Sequence, residues 1–459
     1  MTKDLLVPTI RDHLAKNDIE ALRRLCEAEH PASVAEWLSA LEPAEIWRIL
    51  RTVSPELQGE IVSHIDEDTQ QELVPVLDVR DAASLLTGMS SDNRADLFRR
   101  LPEEQRERLY PALAKAERED IRKLTSYPLG TAGSIMTSDY VSLQRDMTAS
   151  QAMQQIRLEA TQKDTIYYAY VVDDARTLIG FVSLKDLILA RPGERIEDFM
   201  HREIICAHAG DDQEDAARKI EKFDLIALPV INGGDALVGI ITHDDAIDVI
   251  MQEQQEDLEK LMAIRGSHQA GTYLKTSSWV HFKNRMFWVV GLAALGLLSG
   301  IIIHGFEGSL MSLMVLALYM PMVADTGGNT GSQSSTVVVR ALALGEIKTG
   351  DAMRVLFKEL QVSLLLGVVL AVLSFGKVMF LSHGTVIPDG FSLWKIGAAI
   401  ALALGLQVVT ATLIGALLPM GAAKLRLDPA VVASPALTTV VDISGLLIYF
   451  GTAKMLLGI

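Results

Sequence analysis

The chain has 459 residues, 49% hydrophobic and 22% charged, with a formal net charge of −16. That is too long for one compact domain and too apolar for a disordered chain. Its two cysteines, Cys26 and Cys206, exclude a disulfide framework and match no metal-ligand spacing. The charge is split unevenly. Residues 271–459 carry 12 Lys and Arg against 8 Asp and Glu (+4), which leaves 30 against 50 (−20) for residues 1–270. A strongly acidic body excludes nucleic acid as a partner, because phosphates need the opposite sign, and it invites cations.

Met1–Leu22 alternates charged and apolar residues as an amphipathic helix does. No secretory signal is expected from such a pattern, so the acidic body belongs in the cytoplasm. Residues 1–130 are expected to be all-helical. Helix-start chemistry recurs about every twelve residues: Glu42-Pro43, Ser54-Pro55, Asp66, Asp78–Asp81, Ser90-Ser91-Asp92 and Leu101-Pro102-Glu103. Short helices stacked into a superhelix are the natural result. Asp92 and Asp96 lie four apart on one helix face. Like charges at that spacing destabilise a helix unless water or a divalent cation neutralises them.

Residues 131–255 contain a duplication. Met136-Thr137 corresponds to Met200-His201, and Ala169–Asp173 to Leu228–Asn232. The strongest correspondence is Ile179–Leu187 with Val238–Ala246. Each copy is expected to hold an extended entry, a helix, a two-stranded hairpin and a helix capped by Ser or Thr. The repeated Gly-apolar-apolar-Ser/Thr-x-x-Asp pattern resembles a tandem pair of CBS domains, which often bind adenosine nucleotides. The resemblance implies ribose contacts from Ser183 with Asp186 and from Thr242 with Asp245. Plain helix capping by Ser183 and Thr242 is the alternative.

Residues 246–270 form a connecting segment, helical over Ala246–Arg265. Ile247, Ile250, Met251, Leu258, Leu261 and Met262 fall in one stripe about 120° wide at 100° per residue, and Glu253, Glu256, Asp257 and Glu259 lie elsewhere on the wheel. Such a helix can press its apolar side on a membrane body and turn its carboxylates to the acidic one.

Residues 271–459 are expected to form an all-α membrane domain. Five apolar stretches, 286–303, 309–325, 360–381, 393–420 and 430–457, approach the ~20 residues that cross a bilayer. The second is expected to break at Gly327-Gly328 and Gly331 and to resume through Val337–Leu342. With the acidic body inside, nine basic residues flank the inner ends (Lys275, Lys283, Arg285, Arg340, Lys348, Arg354, Lys358, Lys424, Arg426) and three the outer ends (Lys377, Lys395, Lys454). That bias fits a cytoplasmic N-terminus and an outside C-terminus. Trp279, Trp288 and Trp394 sit where interface anchors belong. Gly296 and Gly300 suit helix packing.

The most informative residues are those that cost most to place in lipid. Asp442 lies mid-span, where a carboxylate costs roughly 2.5–3.5 kcal/mol, so it is expected to face a wet cavity or a partner. No basic residue is available mid-span to pair with it. Pro435, Thr438, Asp442, Gly445 and Tyr449 share one stripe. Pro321–Ser334 is rich in Gly, Asn, Thr and Ser. As irregular backbone it would have to line a water-filled path, offering carbonyls and Asn329, Thr330 and Gln333 to a cation. No phosphate-binding loop with Lys, no His-Glu-x-x-His and no Ser–His–Asp set is present, so no enzyme activity is expected.

The motifs P-x-x-x-D-T-G-G-N-T-G-S-Q-S, from Pro321, and D-P-A…T-T-V-V-D-I-S-G-L-L-I-Y-F, from Asp428, complete a pattern that spans the chain. The whole resembles the MgtE magnesium channels. The resemblance implies a homodimer in a bacterial inner membrane, with a Mg²⁺ pore between the protomers and closure by intracellular Mg²⁺. It implies pore ligands at Asp442, Asn329, Gly328 and Thr438, to which Asp325 is added as a candidate. It also implies regulatory carboxylates at Asp92, Asp96, Asp245, Asp248, Glu253, Glu256 and Asp257, with Glu60 a further candidate. Mg²⁺ is then cargo and regulator, and ATP is a candidate ligand of the CBS pair. Asp325 departs from the pattern, which has a small residue in some relatives; its charge near the inner mouth would alter conductance or selectivity. A coupled divalent-cation transporter and a non-conducting nucleotide sensor are the rival functions.

Overall fold

The computed structural model describes residues 3–160, 163, 165–262, 264, 276–430 and 435–459. Lys275 and Arg265 lie outside the described residues. The chain divides into two compact units, Met1–Met251 and Gln252–Ile459.

The first unit opens with short helices: α1 (Lys3–Lys16), α2 (Ile19–Ala28), α3 (Pro31–Leu38), α4 (Pro43–Leu50), α5 (Pro55–Ser63), α6 (Glu67–Leu73), α7 (Val79–Gly88), α8 (Ser91–Arg100), α9 (Glu103–Leu109) and α10 (Lys115–Leu124). Each expected start signal opens a helix. Asp66 accepts from the Thr69 amide at 3.0 Å and Asp78 from the Asp81 amide at 2.8 Å, while Pro43 and Pro55 take first helical positions. Such caps satisfy amides that a helix leaves unbonded. From α1 to α10 each helix packs on the one two places along, which makes a two-layered superhelical array. Its core runs from Ile10 through Trp37, Ile49 and Leu85 to Ile121.

Two copies of one α/β unit follow. The first has β1 (Val141–Gln144), α11 (Ala149–Glu159), β2 (Tyr168–Val172), β3 (Leu178–Ser183) and α12 (Leu184–Leu189). A short α13 (Ile196–Phe199) leads to the second, with β4 (Ala207–His208), α14 (Gln213–Phe223), β5 (Ala227–Ile231), β6 (Leu237–Thr242) and α15 (His243–Leu261). Both sheets place the middle strand parallel to the first and antiparallel to the third. The copies exchange their entry segments. Thr137, ahead of the first copy, bridges Ile240 in β6, and His201, ahead of the second, bridges Phe181 in β3. Gly180 and Gly239 make this possible, because a Cβ there would meet the Met200 sulfur at 2.9 Å and the Met136 sulfur at 2.6 Å. The glycine of the repeated signature is thus a seat for the other copy's methionine.

The connecting helix is not a separate element but the continuation of the second copy's last helix, α15. Its buried positions are Ala246 and Val249. Ile247, Met251, Leu258 and Met262 of the expected apolar stripe are exposed on the single chain.

The second unit holds α16 (Ser278–Gly305), α17 (Glu307–Ser312), α18 (Val315–Ala343), α19 (Ala352–Leu381), α20 (Leu393–Lys424) and α21 (Pro435–Leu457). Among the described residues, four helices are long and apolar enough to cross a membrane: α16, α19 with the turn before it, α20 and α21. The stretch expected at 309–325 is different. α18 runs unbroken through Gly327, Gly328 and Gly331 for 29 residues, about 43 Å at 1.5 Å each, and its polar residues keep it out of the apolar set. The break lies earlier, at Leu313-Met314. Glycine weakens a helix by only about 1 kcal/mol each and keeps its amide, so tertiary contact overrides it here. α20 is the hub, packed on α18, α19 and α21. Phe306 stacks on Phe450, and the Tyr449 hydroxyl donates to the Leu316 carbonyl at 2.8 Å. Gly296 and Gly300, expected to serve packing, meet nothing within 4 Å.

Close approach of α18 and α20 is set at Gly415, where a Cβ would be driven into the Gly331 carbonyl. Gly415→Ala is therefore expected to destabilise the second unit by about 1–3 kcal/mol. Gly421→Ala, in open space on the same helix, is expected to be neutral or stabilising. Thermal unfolding of both variants in detergent checks this, and equal melting temperatures would contradict it.

Candidate functional site

Asp442 sits about two turns into α21 and is half-buried. The residue before it, Val441, is fully buried and packs on the Gly331 position of α18. One turn on, Gly445 faces Gln407 of α20, as does Gly327 of α18. The turn carrying Asp442 is thus set against the glycine-rich turn of α18. Thr438, one turn before Asp442, is exposed.

α18 carries its polar residues on two sides. Asp325, Asn329, Gln333 and Thr336 are exposed and share one stripe of about 80° at 100° per residue. Gly328 is half-buried beside them. The opposite side is inward: Thr330 returns its hydroxyl to the Thr326 carbonyl at 3.0 Å, and Ser334 donates to Glu359 of α19 at 2.8 Å. Because the helix is continuous, the carbonyls of Gly327–Gly331 are not freed as an irregular loop would free them. What the segment offers to water is the side-chain stripe.

In the first unit, Asp92 and Asp96 lie on α8. Asp92 has one carboxylate oxygen buried without a hydrogen-bond partner among the described residues, and the other accepts from the Asn93 side-chain Nδ2 at 3.4 Å. Burial pushes its pKa up, with Asp139 adding to the effect. Asp96 is pushed up to about 6 by burial, against the pull of Arg99 and Arg100 and with Asp92 and Glu67 adding. Asp139 accepts from the Ser91 amide at 3.0 Å, and Asp120 from the Ser138 hydroxyl at 3.1 Å. These bonds join the helical array to the segment entering the repeats. Glu60, on α5, is exposed.

The α15 carboxylates divide between the units. Asp245 takes the Thr242 hydroxyl as part of the helix start. Asp248 is raised by burial and by Asp244, and His64 from the helical array offsets this. In the second unit, Lys260 bonds Glu256 at 2.9 Å and Asp428, in the loop after α20, at 3.0 Å. Asp257 is raised by burial, then by Asp428, and Glu253 and Glu256 add to it. Among the described residues no three His, Cys, Asp or Glu side chains gather closely enough to hold one metal ion. The carboxylates are thus placed as separate groups, of which Glu256 is paired with Lys260 and Asp96 lies near Arg99.

In the first repeat, Ser183 and Asp186 form a reciprocal helix cap, with the Ser183 hydroxyl donating to Asp186 at 2.6 Å. His201 bonds the same carboxylate at 3.0 Å and stacks on Phe181. Thr242 and Asp245 are the counterpart in the second repeat.

Sequence reading overlooked Gln407, Glu359, Asp428, Asp120 and Asp139. Gln407 had a usable signal, since it is the one amide in the apolar run 393–420. Asp428 stood inside a quoted motif without a role. Asp120 and Asp139 had none, because only folding brings them to Asp92.

A family model described as MgtE, divalent cation transporter, matches residues 320–452; one described as MgtE intracellular N domain matches 29–130. A CBS domain model matches 132–193 and 196–252. The magnesium transporter MgtE of Thermus thermophilus is 37% identical over 74% of this chain and 72% of its own. That of Bacillus subtilis is 38% identical over 72% and 71%. Two solved structures resemble the first unit. The soluble part of a magnesium transporter matches with a TM-score of 0.52 at 32% identity, over 55% of this chain and 99% of that one. The cytosolic domain of the Mg²⁺ channel MgtE in complex with ATP matches with 0.50 at 31%, over 53% and 100%.

The raised pKa of Asp96 gives a signed prediction. Below the ordinary carboxylate pKa, Asp96 is neutral folded or unfolded. As pH rises through about 6 the folded state must ionise a disfavoured carboxylate and loses stability relative to the unfolded chain. Without divalent cations, Asp96→Asn should therefore melt higher than the parent at pH 8, with the gap narrowing as pH falls below about 6 and closed only below the ordinary carboxylate pKa. A gap independent of pH in EDTA would contradict this.

Proposed function

Since the chain belongs to the MgtE family of magnesium transporters, we propose that it is a homodimeric Mg²⁺ channel whose acidic cytosolic unit closes it when intracellular Mg²⁺ is high. It is a multi-pass membrane protein with Mg²⁺ as its cargo, and the proposed activity is transport rather than catalysis. In this proposal α18 crosses as the fifth span, the N-terminus lies in the cytoplasm and the C-terminus outside.

One observation carries the pore: a half-buried carboxylate, Asp442, on an apolar helix, that forms no ion pair with a basic side chain among the described residues and has the polar stripe of α18 on a neighbouring helix. Mg²⁺ dehydrates reluctantly and keeps several waters. Two Asp442 carboxylates, one from each protomer, would hold the hydrated ion through its water shell. The membrane potential favours inward movement by about 2.3 kcal/mol per charge per 100 mV, so no coupled energy source is needed. Asp325 would add charge to the same exposed stripe as Asn329.

Closure is supported by the acidic faces of α8 and α15. Carboxylates raised by burial and by one another are relieved when a divalent cation settles between them. Cation binding that is stronger in the closed arrangement than in the open one shifts the equilibrium, and each tenfold preference contributes about 1.4 kcal/mol. A nucleotide at Ser183, Asp186 and Thr242 belongs to the same proposal, supported by the ATP-bound relative. It would have to take over hydrogen bonds now spent on helix capping.

Asp442→Asn should abolish Mg²⁺ influx into proteoliposomes, read with an internal Mg²⁺ indicator; parental flux would sink the pore reading. Asp245→Asn combined with Asp248→Asn should raise the internal Mg²⁺ needed for closure about tenfold. Limited proteolysis of the cytosolic unit offers a second readout. Millimolar Mg²⁺ should protect the parent and not the double variant, and equal cleavage in all four samples would refute Mg²⁺-driven closure.

A further inference from the structure

Gln407 lies midway along α20 and is fully buried. Its Nε2 donates to the Val441 carbonyl at 2.9 Å. The amide orientation is dictated, because the reverse setting would point Oε1 at the Val441 carbonyl, acceptor against acceptor. The Val441 carbonyl also takes the Ser444 hydroxyl at 3.0 Å. Glycine flanks the amide on both sides. A Cβ at Gly327 of α18 would lie 2.5 Å from Nε2, and one at Gly445 of α21 would lie 2.7 Å from it. The amide oxygen, Oε1, is buried without a hydrogen-bond partner among the described residues.

A methionine would fill this space at the same length and leave no acceptor stranded. Packing alone therefore does not account for an amide here. What the amide supplies is a directional bond to the residue next to Asp442, made from a side chain that also rests on the glycine turn of α18. The geometry points to Gln407 as a positioning residue for ion selection. It fixes the angular setting of the Asp442 turn against the α18 turn that carries Asn329, and so the spacing offered to a hydrated divalent cation. Mg²⁺ binds oxygen at 2.0–2.1 Å in strict octahedral geometry, whereas Ca²⁺ takes 2.3–2.6 Å in a flexible shell. A looser setting of α21 would favour the second ion over the first.

This inference rests on the reading of Asp442 as an ion ligand. The test uses the full chain in proteoliposomes, with Mg²⁺ and Ca²⁺ influx measured in parallel for the parent, Asp442→Asn, Gln407→Met and Gln407→Glu. Gln407→Met is expected to lower the Mg²⁺ to Ca²⁺ flux ratio at least fivefold, and a ratio within twofold of the parent's would overturn the inference. Gln407→Glu provides a pH profile, and it decides the matter if the Met variant fails to fold. Protonated, its carboxyl can donate to the Val441 carbonyl; ionised, it cannot. The ratio should climb back towards the parent's as pH falls from 8.5 to 5.5, while the parent's ratio stays level; a flat profile in the variant would count against Gln407. Parental flux in Asp442→Asn would remove the pore reading and this inference together. A dead Asp442→Asn beside a parent-like Gln407→Met would remove this inference alone.

Discussion

The membrane unit depends on three helix backbones coming close enough that single atoms set their spacing. Gly331 and Gly415 let α18 and α20 touch backbone to backbone, and Gly327 and Gly445 leave room for one amide between α18 and α21. Helices in an apolar solvent gain little from burying more apolar surface, so contact of this kind and buried hydrogen bonds must hold them together. The consequence for function is direct. A carboxylate placed mid-helix has a defined position only if its helix has a defined rotation, and α21 takes its rotation from Val441, Gly445 and Tyr449, each fixed by a named partner.

The first unit is built on the opposite tactic. It holds carboxylates near one another, and the cations beside them, such as Arg99 and Arg100 by Asp96, offset the crowding only in part. Asp92, Asp96 and Asp248 are all raised by burial first and by neighbouring carboxylates after that. Their partners come from different stretches of chain: Asp139 from the segment entering the repeats, Glu67 from the helical array, His64 from the same array against α15. An assembly of this kind is least stable when every carboxylate is ionised and no cation is present. Neutralising one of these carboxylates would therefore stabilise the arrangement.

The legible and illegible parts of the chain differ for a physical reason. Helix starts in the array followed from Pro, Ser and Asp because capping is local chemistry, satisfied within four residues. The duplication was legible because strand, turn and cap recur together. The glycine segment of α18 misled, since glycine's intrinsic weakness as a helix former is a local preference that close packing outweighs. The apolar stripe of α15 is divided by the fold: Leu261 packs on Val339 and Ala430 and Ile250 on the core of the second repeat, while Ala246 and Val249, outside the stripe, are fully buried.

Composition and local pattern by themselves determined that an acidic helical and α/β body precedes an apolar helical one, that the α/β part is duplicated, and that Asp442 is a charge where lipid tolerates none. Those properties depend on hydropathy and on contacts short in sequence. The tertiary structure alone decided that α18 stays helical through its glycines, that Gln407 reaches Val441, that Lys260 meets Asp428, and that Asp120 and Asp139 crowd Asp92. Each joins residues that no periodicity relates, and the energy that selects them comes from packing and from the field of distant charges, which are defined only once the chain has folded.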